Sequence, residues 1–456
     1  MQMARLSQGL DLQAILAEVV AVAGKEGGGE DDLLLFAQRF FERTSEADRA
    51  FHAPGAWAEL VLDLFRFAAR REAGQTLIRR VVAGPQRSML QIVTPDLPFL
   101  VDTVAMHLAA QTEVLAVIHP VLECCRDATG ERLALGQGLS ESVMHFELSD
   151  SLGDEAGELL CRQLAAALHD VSVVVADWTP MRRQALEIAD SLAGRPVPLG
   201  TEAVAEASRF LRWLEADHFV FLGYREYVVR REAAGDLLVP VAGSGLGLLG
   251  ADAGRHQIPP RQLNPRVIDQ LSGEGKPELV IVTRTNARSP IHRSGHMDYI
   301  AVVKFDAEGR AVGEQRFLGL LSSRTYLLRP QDVPLVRQRV EGVLRRSGLE
   351  PGSYSGRTLR RTLDTLPRDE LFQSNEDDLY AMAMEILELL QHAHPRLLLR
   401  RDQFSQFYSC QVFVPRNRFS SEVRGRIEDF LREALHATEL DSSMLMADGT
   451  LARLYV

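Results

Sequence analysis

Met89-Leu90-Gln91-Ile92-Val93-Thr94-Pro95-Asp96-Leu97-Pro98-Phe99-Leu100-Val101-Asp102 passes from an apolar run through a proline-bounded turn into helical spacing. Met89–Val93 reads as a short strand. Thr94-Pro95-Asp96 reads as a turn, with Asp96 a good N-cap because its side chain can accept from a free helix N–H. Val101, Val104, Ala105 and Leu108 then fall at i, i+3, i+4, i+7, the spacing of one helix face. Val114–Cys125 is apolar and β-branched, so a strand is expected. A link rich in turn residues (Asp127, Gly130, Gly136, Gly138) leads to a strand around His145, marked by Val143, Phe146 and Leu148. Ala156–Leu168 is amphipathic, and Val171–Val175 reads as a closing strand. The expected order is βαββαβ, a ferredoxin-like unit with both helices on one face of an antiparallel sheet.

Outward from this unit the fold class is α+β and multidomain. Residues 1–74 read as helices, with Leu12, Ile15, Leu16 and Val19 on one face and Trp57, Leu60, Val61, Leu64 and Phe65 on another. A Gly27-Gly28-Gly29 break separates the first helix from one over Asp31–Glu42. The ferredoxin-like unit spans 75–185. A linker and helix occupy 186–218, and a β-rich unit 219–330 follows. Its strands are expected at Phe219–Val229, Leu237–Val241, Leu279–Thr283, Met297–Phe305 and Arg316–Leu321, the last two joined across Asp306-Ala307-Glu308-Gly309. Residues 331–395 return to helix. Residues 396–456 hold a strand at Phe407–Val414, a helix from Ser420 and a hairpin across Asp448-Gly449. A second helix and a fourth strand would complete that last unit, so its Leu451–Val456 strand is expected at an exposed edge, unpaired or covered by a neighbour.

The 456 residues suggest about three domains. The net charge of −11 and the scatter of basic pairs such as Arg70–Arg71 and Arg360–Arg361 argue against a nucleic-acid partner. Lysine occurs only at Lys25, Lys276 and Lys304, which leaves little for lysine-based catalysis. Cys124, Cys125, Cys161 and Cys410 form no CxxC pair, so reduced thiols in a cytoplasmic setting are expected. Asp11, Gln13 and Glu18 interrupt the apolar stretch near the N-terminus, and no run approaches the roughly 18 apolar residues of a membrane span.

Each constellation that could carry chemistry has a plainer reading. Gly243-Ser244-Gly245-Leu246-Gly247 resembles a phosphate loop, but a dinucleotide loop must open a helix, and Gly254, Pro259 and Pro260 follow instead. His292 and His296 have zinc-helix spacing, yet Pro290 and Ser294-Gly295 make the segment a loop, and no general-base Glu lies between them. His119 and His145 fall in strands of one sheet, and core or edge histidines are expected. Asp217-His218 has no GxSxG nucleophile elbow to serve. No metal or cofactor site is expected. The informative stretch is the loop before the first helix of the ferredoxin-like unit. Asp96, Leu97, Pro98, Phe99 and Asp102 cluster at a helix N-terminus, where N–H groups and the dipole favour an anion such as an effector carboxylate. The plainer alternative is that Asp96 caps, Pro98 stiffens and Phe99 fills core.

Several stretches together resemble the N-terminal region of the large bacterial NAD-specific glutamate dehydrogenases. They are Asp96-Leu97-Pro98-Phe99-Leu100-Val101-Asp102, Asp217-His218-Phe219-Val220-Phe221-Leu222-Gly223-Tyr224-Arg225-Glu226-Tyr227 and Pro367-Arg368-Asp369-Glu370-Leu371-Phe372-Gln373. Supporting stretches are Val117-Ile118-His119-Pro120, His296-Met297-Asp298-Tyr299-Ile300, Arg316-Phe317-Leu318-Gly319-Leu320 and Phe413-Val414-Pro415-Arg416. The resemblance runs from about residue 75 to the end. It implies ACT-like units at 75–185 and, incompletely, at 396–456, with a PAS-like β-rich unit at 219–330. It further implies a much longer chain whose dehydrogenase domain lies downstream, with NAD bound there and no catalytic residue here. Three readings follow: a regulatory and oligomerisation segment with an amino-acid effector, a structural assembly module with no ligand, or an enzyme with an unrecognised site.

Overall fold

The computed structural model describes residues 12–24, 30–84, 87–149, 153–232, 235–250, 261–262, 278–402, 407–445 and 450–456. The chain divides into two compact units, Met1–Val175 with Ser289–Ser294, and Ala176–Arg288 with Gly295–Val456.

The first unit opens with helices α1 (Leu12–Ala23), α2 (Glu30–Phe41), α3 (Glu46–Arg49) and α4 (Pro54–Phe67). Of the periodic residues, Ile15, Val19, Trp57, Val61 and Leu64 are buried and Leu12, Leu16, Leu60 and Phe65 partly so; Phe36 and Phe40 of α2 are buried with them. Strands β1 (Leu77–Gly84) and β2 (Arg87–Pro95), helix α5 (Leu100–Ala109), strands β3 (Val114–Ile118), β4 (Val121–Arg126), β5 (Arg132–Leu135) and β6 (Leu139–Leu148), and helix α6 (Asp154–Ala176) follow. The sheet order is β1-β2-β6-β4-β5, with β3 also on β6, and all its pairings are antiparallel.

This order corrects the expected βαββαβ. Val171–Val175 is not a strand but the last part of the 23-residue helix α6. Its β-branched run favours extension locally, yet Leu160, Leu164, Ala167, Val171 and Val174 continue one helical stripe, and all are buried. The edge position beside β2 is filled from the N-terminal side by β1, which pairs Leu77 with Val93 and Arg80 with Leu90. The expected single strand Val114–Cys125 divides at His119-Pro120, where proline lacks the N–H a ladder needs. The glycine-rich link contains β5. The first helix after the sheet begins at Leu100, not at Asp96.

Both faces of β2 and β6 are covered, so their burial is continuous rather than alternating. Val93 and Val143 join the core of α1, α2 and α4 on one face, while Leu90, Ile92, Met144 and Phe146 are buried on the other. Helix α6 is long and apolar enough by length and composition to cross a membrane. Here its stripe is buried within the unit, as in a core helix.

The second unit begins with α7 (Trp178–Ser191), which runs from the end of the expected 75–185 unit into the stretch expected as linker, and α8 (Thr201–Trp213). Strands β7 (Phe219–Arg230), β8 (Leu237–Pro240), β9 (Leu246–Gly247), β10 (Arg261–Gln262), β11 (Val280–Arg288), β12 (His296–Phe305) and β13 (Ala311–Leu321) make the second sheet. Its order is β10-β8-β7-β13-β12-β11, with β9 on β7. The expected hairpin across Asp306–Gly309 is present as β12–β13. Helices α9 (Ser323–Leu327), α10 (Val336–Ser347), α11 (Tyr354–Thr365), α12 (Arg368–Gln373) and α13 (Glu376–Gln391) come next. The third sheet comprises β14 (Arg396–Arg401), β15 (Tyr408–Pro415), β16 (Ser443–Leu445) and β17 (Leu451–Tyr455), with α14 (Ser421–Ala434) capped by Ser420 Oγ at 3.2 Å from the Val423 N–H. Its order β14-β15-β17-β16 corrects the expectation of an open edge at Leu451–Val456. Strand β17 is interior because β15 pairs with it on one side and β16 on the other, while the unforeseen β14 takes the outer edge beside β15. The Gly27–Gly29 break, the Ala251–Pro260 stretch and the Asp448-Gly449 turn lie outside the described residues.

Candidate functional site

The loop singled out in the sequence leaves β2 at Pro95. Asp96 donates its N–H to the Ser140 carbonyl (3.0 Å) and its side chain is exposed. Leu97 is half-buried and Pro98 exposed. Phe99, not Asp96, occupies the N-cap position, at φ +72° and without a side-chain cap. An aromatic residue in the left-handed region is costly and persists only where its surroundings enforce it.

Those surroundings are Ser289–Ser294, the connection between β11 and β12, which packs with the first unit. The His292 ring lies 4.9 Å from that of Phe99. Its Nδ1 is 3.3 Å from the Asp102 carboxylate, and its N–H donates to Thr103 Oγ at 2.9 Å. His107 Nε2 lies 3.0 Å from the Pro290 carbonyl. Ile291 is fully buried and Ser289 nearly so. The structure therefore brings Phe99 and Asp102 together on one segment, while the Asp96 side chain stays exposed. The His119 imidazole is held below its ordinary pKa, chiefly by burial; Asp96 pulls it upward and Arg43 downward. His119 Nε2 is 2.5 Å from Ser142 Oγ.

His145 is a core histidine, as expected. Glu147 Oε1 lies 2.9 Å from its Nε2 and 2.6 Å from the Nε2 of His52, against Trp57. Burial opposes charge on Glu147, but the hydrogen bonds from His145 and His52 outweigh it and hold the carboxyl at about 2. Nearby, Arg71 and Arg126 both reach the buried Glu141, at 2.7 and 2.6 Å.

In the second unit the glycine-rich loop is closed by the protein's own anion. The Asp177 carboxylate accepts the Gly247 N–H at 2.7 Å. Gly247 sits at φ +56°, and a Cβ there would lie 2.4 Å from the Leu222 carbonyl oxygen. His218 stacks on Trp213 with ring centroids 4.4 Å apart, and its Nδ1 lies 2.8 Å from the Trp213 carbonyl. His292 and His296 fall in different units, and among the described residues no cluster of three or more His, Cys, Asp or Glu side chains could hold a metal.

The sequence reading missed a cavity of about 740 Å³ in the second unit, lined among others by Arg284, His296, Asp369, Glu370, Glu439 and Asp441. Its charged groups are largely matched to one another. Arg284 pairs with Asp369. Glu370 receives Arg400 through two bonds of 3.0 Å, and Ser409 donates to it as well. Arg288 bridges to Asp441 (3.0 Å) and Glu439 (3.3 Å) at the rim. Cys410, in the wall, has its thiol pushed up to about 11, first by burial and then by Glu370. Within Pro367–Gln373, one of the stretches that carry the family resemblance, Asp369 and Glu370 meet partners distant in the chain, Arg284 and Arg400.

The elements define an α+β protein with three antiparallel sheets and, in chain order, a run of helices between the second and third. Three family models match in chain order: glutamate dehydrogenase ACT1 domain over residues 36–164, helical motif 1 over 333–392 and ACT2 domain over 396–456. The NAD-specific glutamate dehydrogenase of Halomonas elongata is 33% identical over 381 residues, covering 80% of this chain and 23% of the relative. That of Pseudomonas aeruginosa is 31% identical over 441 residues (92% and 27%), and that of Mycobacterium tuberculosis 27% over 432 residues (90% and 25%). The chain belongs to the large bacterial NAD-specific glutamate dehydrogenases and corresponds to their N-terminal region. It spans about a quarter of the length of the curated relatives it matches.

Proposed function

We propose that this chain is the regulatory and oligomerisation segment of an NAD-dependent glutamate dehydrogenase. The observation that carries the reading is the ordered match to ACT1, helical motif 1 and ACT2 models of that family. The parent protein converts L-glutamate, NAD and water to 2-oxoglutarate, ammonia and NADH, and binds NAD in a dehydrogenase domain elsewhere in the same polypeptide. In this reading the protein is a cytoplasmic homo-oligomer, and the β-rich 219–330 region acts as a PAS-like unit between the ACT-like units. An amino-acid effector acts through Asp96, Leu97, Pro98, Phe99 and Asp102, shifting the chain between states by binding one better than the other.

Calorimetric titration of the full-length protein with a panel of amino acids tests the effector. Saturable heat, lost in Asp102→Ala, supports it; no heat from any of them removes it. Light scattering tests assembly, and a strictly monomeric full-length protein would overturn that part. An assay with glutamate and NAD should give NADH with the full-length protein and none with this segment alone. One observation favours a second reading, an assembly module without ligand: the first turn of α5 is already covered by the chain's own Ser289–Ser294.

A further inference from the structure

Five non-glycine residues among those described adopt a positive φ: Phe99, Asp217, His292, Leu335 and His436. Two of them, Phe99 (φ +72°) and His292 (φ +68°), face each other with ring centroids 4.9 Å apart. A side chain in this region costs energy relative to ordinary backbone, and such residues concentrate at clamps and switches. Here two such residues meet at a single contact.

The segment carrying His292 is six residues long, Ser289–Ser294. Ile291 is its one fully buried apolar side chain. Ser289 folds the segment on itself, its hydroxyl donating to the Ile291 carbonyl at 2.6 Å. Its attachments to α5 include hydrogen bonds from the His292 N–H to Thr103 Oγ and between His107 Nε2 and the Pro290 carbonyl, and the approach of His292 Nδ1 to the Asp102 carboxylate at 3.3 Å. Each hydrogen bond is worth about 1 kcal/mol net. Contacts of this size are individually modest, and they are set against two residues held in the left-handed region. The sheet beneath is different: β2 and β6 are continuously buried and hydrogen-bonded along eight residue pairs. Opening of the segment therefore separates from unfolding of the sheet.

We propose that Ser289–Ser294 is a strap that docks reversibly on the first turn of α5, a two-state element whose release uncovers Phe99, Asp102 and Thr103. This deepens the regulatory reading above and rests on it for its purpose: an effector acting at Asp96–Asp102 would have to retain or displace the strap. The strap's existence does not depend on that effector.

Hydrogen exchange on the full-length protein tests it. Ile291→Ser should raise exchange in the strap and at the first turn of α5, on the order of tenfold, with amides of Leu90–Val93 and Val143–Glu147 unchanged. Thr103→Val, which keeps shape and removes the acceptor, should act in the same direction by a smaller factor. His292→Gly should open the strap less than His292→Ala, because glycine loses the ring but relieves the left-handed strain. The proposal is overturned if the wild-type strap amides already exchange at free-peptide rates. It is equally overturned if strap and sheet amides lose protection together in both Ile291→Ser and Thr103→Val. Calorimetry with amino acids reports on the effector separately, so the strap can stand while the effector falls.

Discussion

The ACT1 and ACT2 regions carry the same family module in different settings. In the first, β2 and β6 bury nearly every residue, and ionised side chains are sealed between sheet and helices. In the second, one face of the sheet packs polar and aromatic groups inward. Phe413, Gln411 and Arg453 are buried, Arg453 Nη1 reaching Thr365 Oγ at 3.4 Å. The other face is only partly covered. Leu397, Leu399 and Met444 are 40–50% exposed, and α14 buries Leu431 alone. The difference is one of coverage, not strand chemistry. An element's alternation reports how many of its faces are covered, and a module's stability depends on what its neighbours supply.

Charge removal should break the comparison most sharply. Glu141→Ala leaves Arg71 and Arg126 buried without their shared partner and should cost about 3–5 kcal/mol, read as a lower urea midpoint for the first unit. Glu428→Ala in α14, whose pairing with Arg424 is partly exposed, should cost within about 1 kcal/mol. Equal losses at the two sites would contradict the contrast. Core truncation should follow the same order. Phe146→Ala, at a fully buried position, should destabilise by about 3–5 kcal/mol. Phe430→Ala, 65% exposed on α14, should stay within about 0.5 kcal/mol.

Acid should also separate the regions. The Glu147 carboxyl is depressed from its ordinary 4.5 to about 2, so its contribution is fully present above pH 4.5 and is lost as pH falls toward 2. Stability of the first unit should fall across that window, and Glu147→Gln should flatten the fall; an unchanged acid profile in the variant would remove this role. The smallest effect is expected at the edge strand β14. Leu399→Thr on its half-exposed face should change stability by less than about 0.5 kcal/mol. A large loss there would mean that the face is covered in the assembled protein, and light scattering of the same variant would say whether a second copy covers it.

Long periodic elements were legible because their signal is local. The stripe Trp57, Val61, Leu64 and the hairpin across Asp306–Gly309 need only the sequence that forms them. Asp96 was a reasonable cap by residue type, but Pro98 and the left-handed Phe99 moved the helix start to Leu100. His145 was correctly placed in the core, while its partners Glu147 and His52 were not foreseen. They lie two and 93 positions away, and only packing of α4's approach against β6 unites them.

By itself the sequence determined the α+β class, most helix and strand centres, and the family, since these rest on periodicity and on motifs contiguous in the chain. Tertiary structure decided the rest. Val171–Val175 became helix because its stripe had a core to meet, and β1 and β14 became strands because β2 and β15 had open ladders beside them. The strap on α5 joins Phe99 to His292, almost two hundred residues apart. Periodicity tells which side of an element is apolar; it does not tell which distant segment will cover that side, because that choice is settled by shape and hydrogen-bond satisfaction once the elements meet.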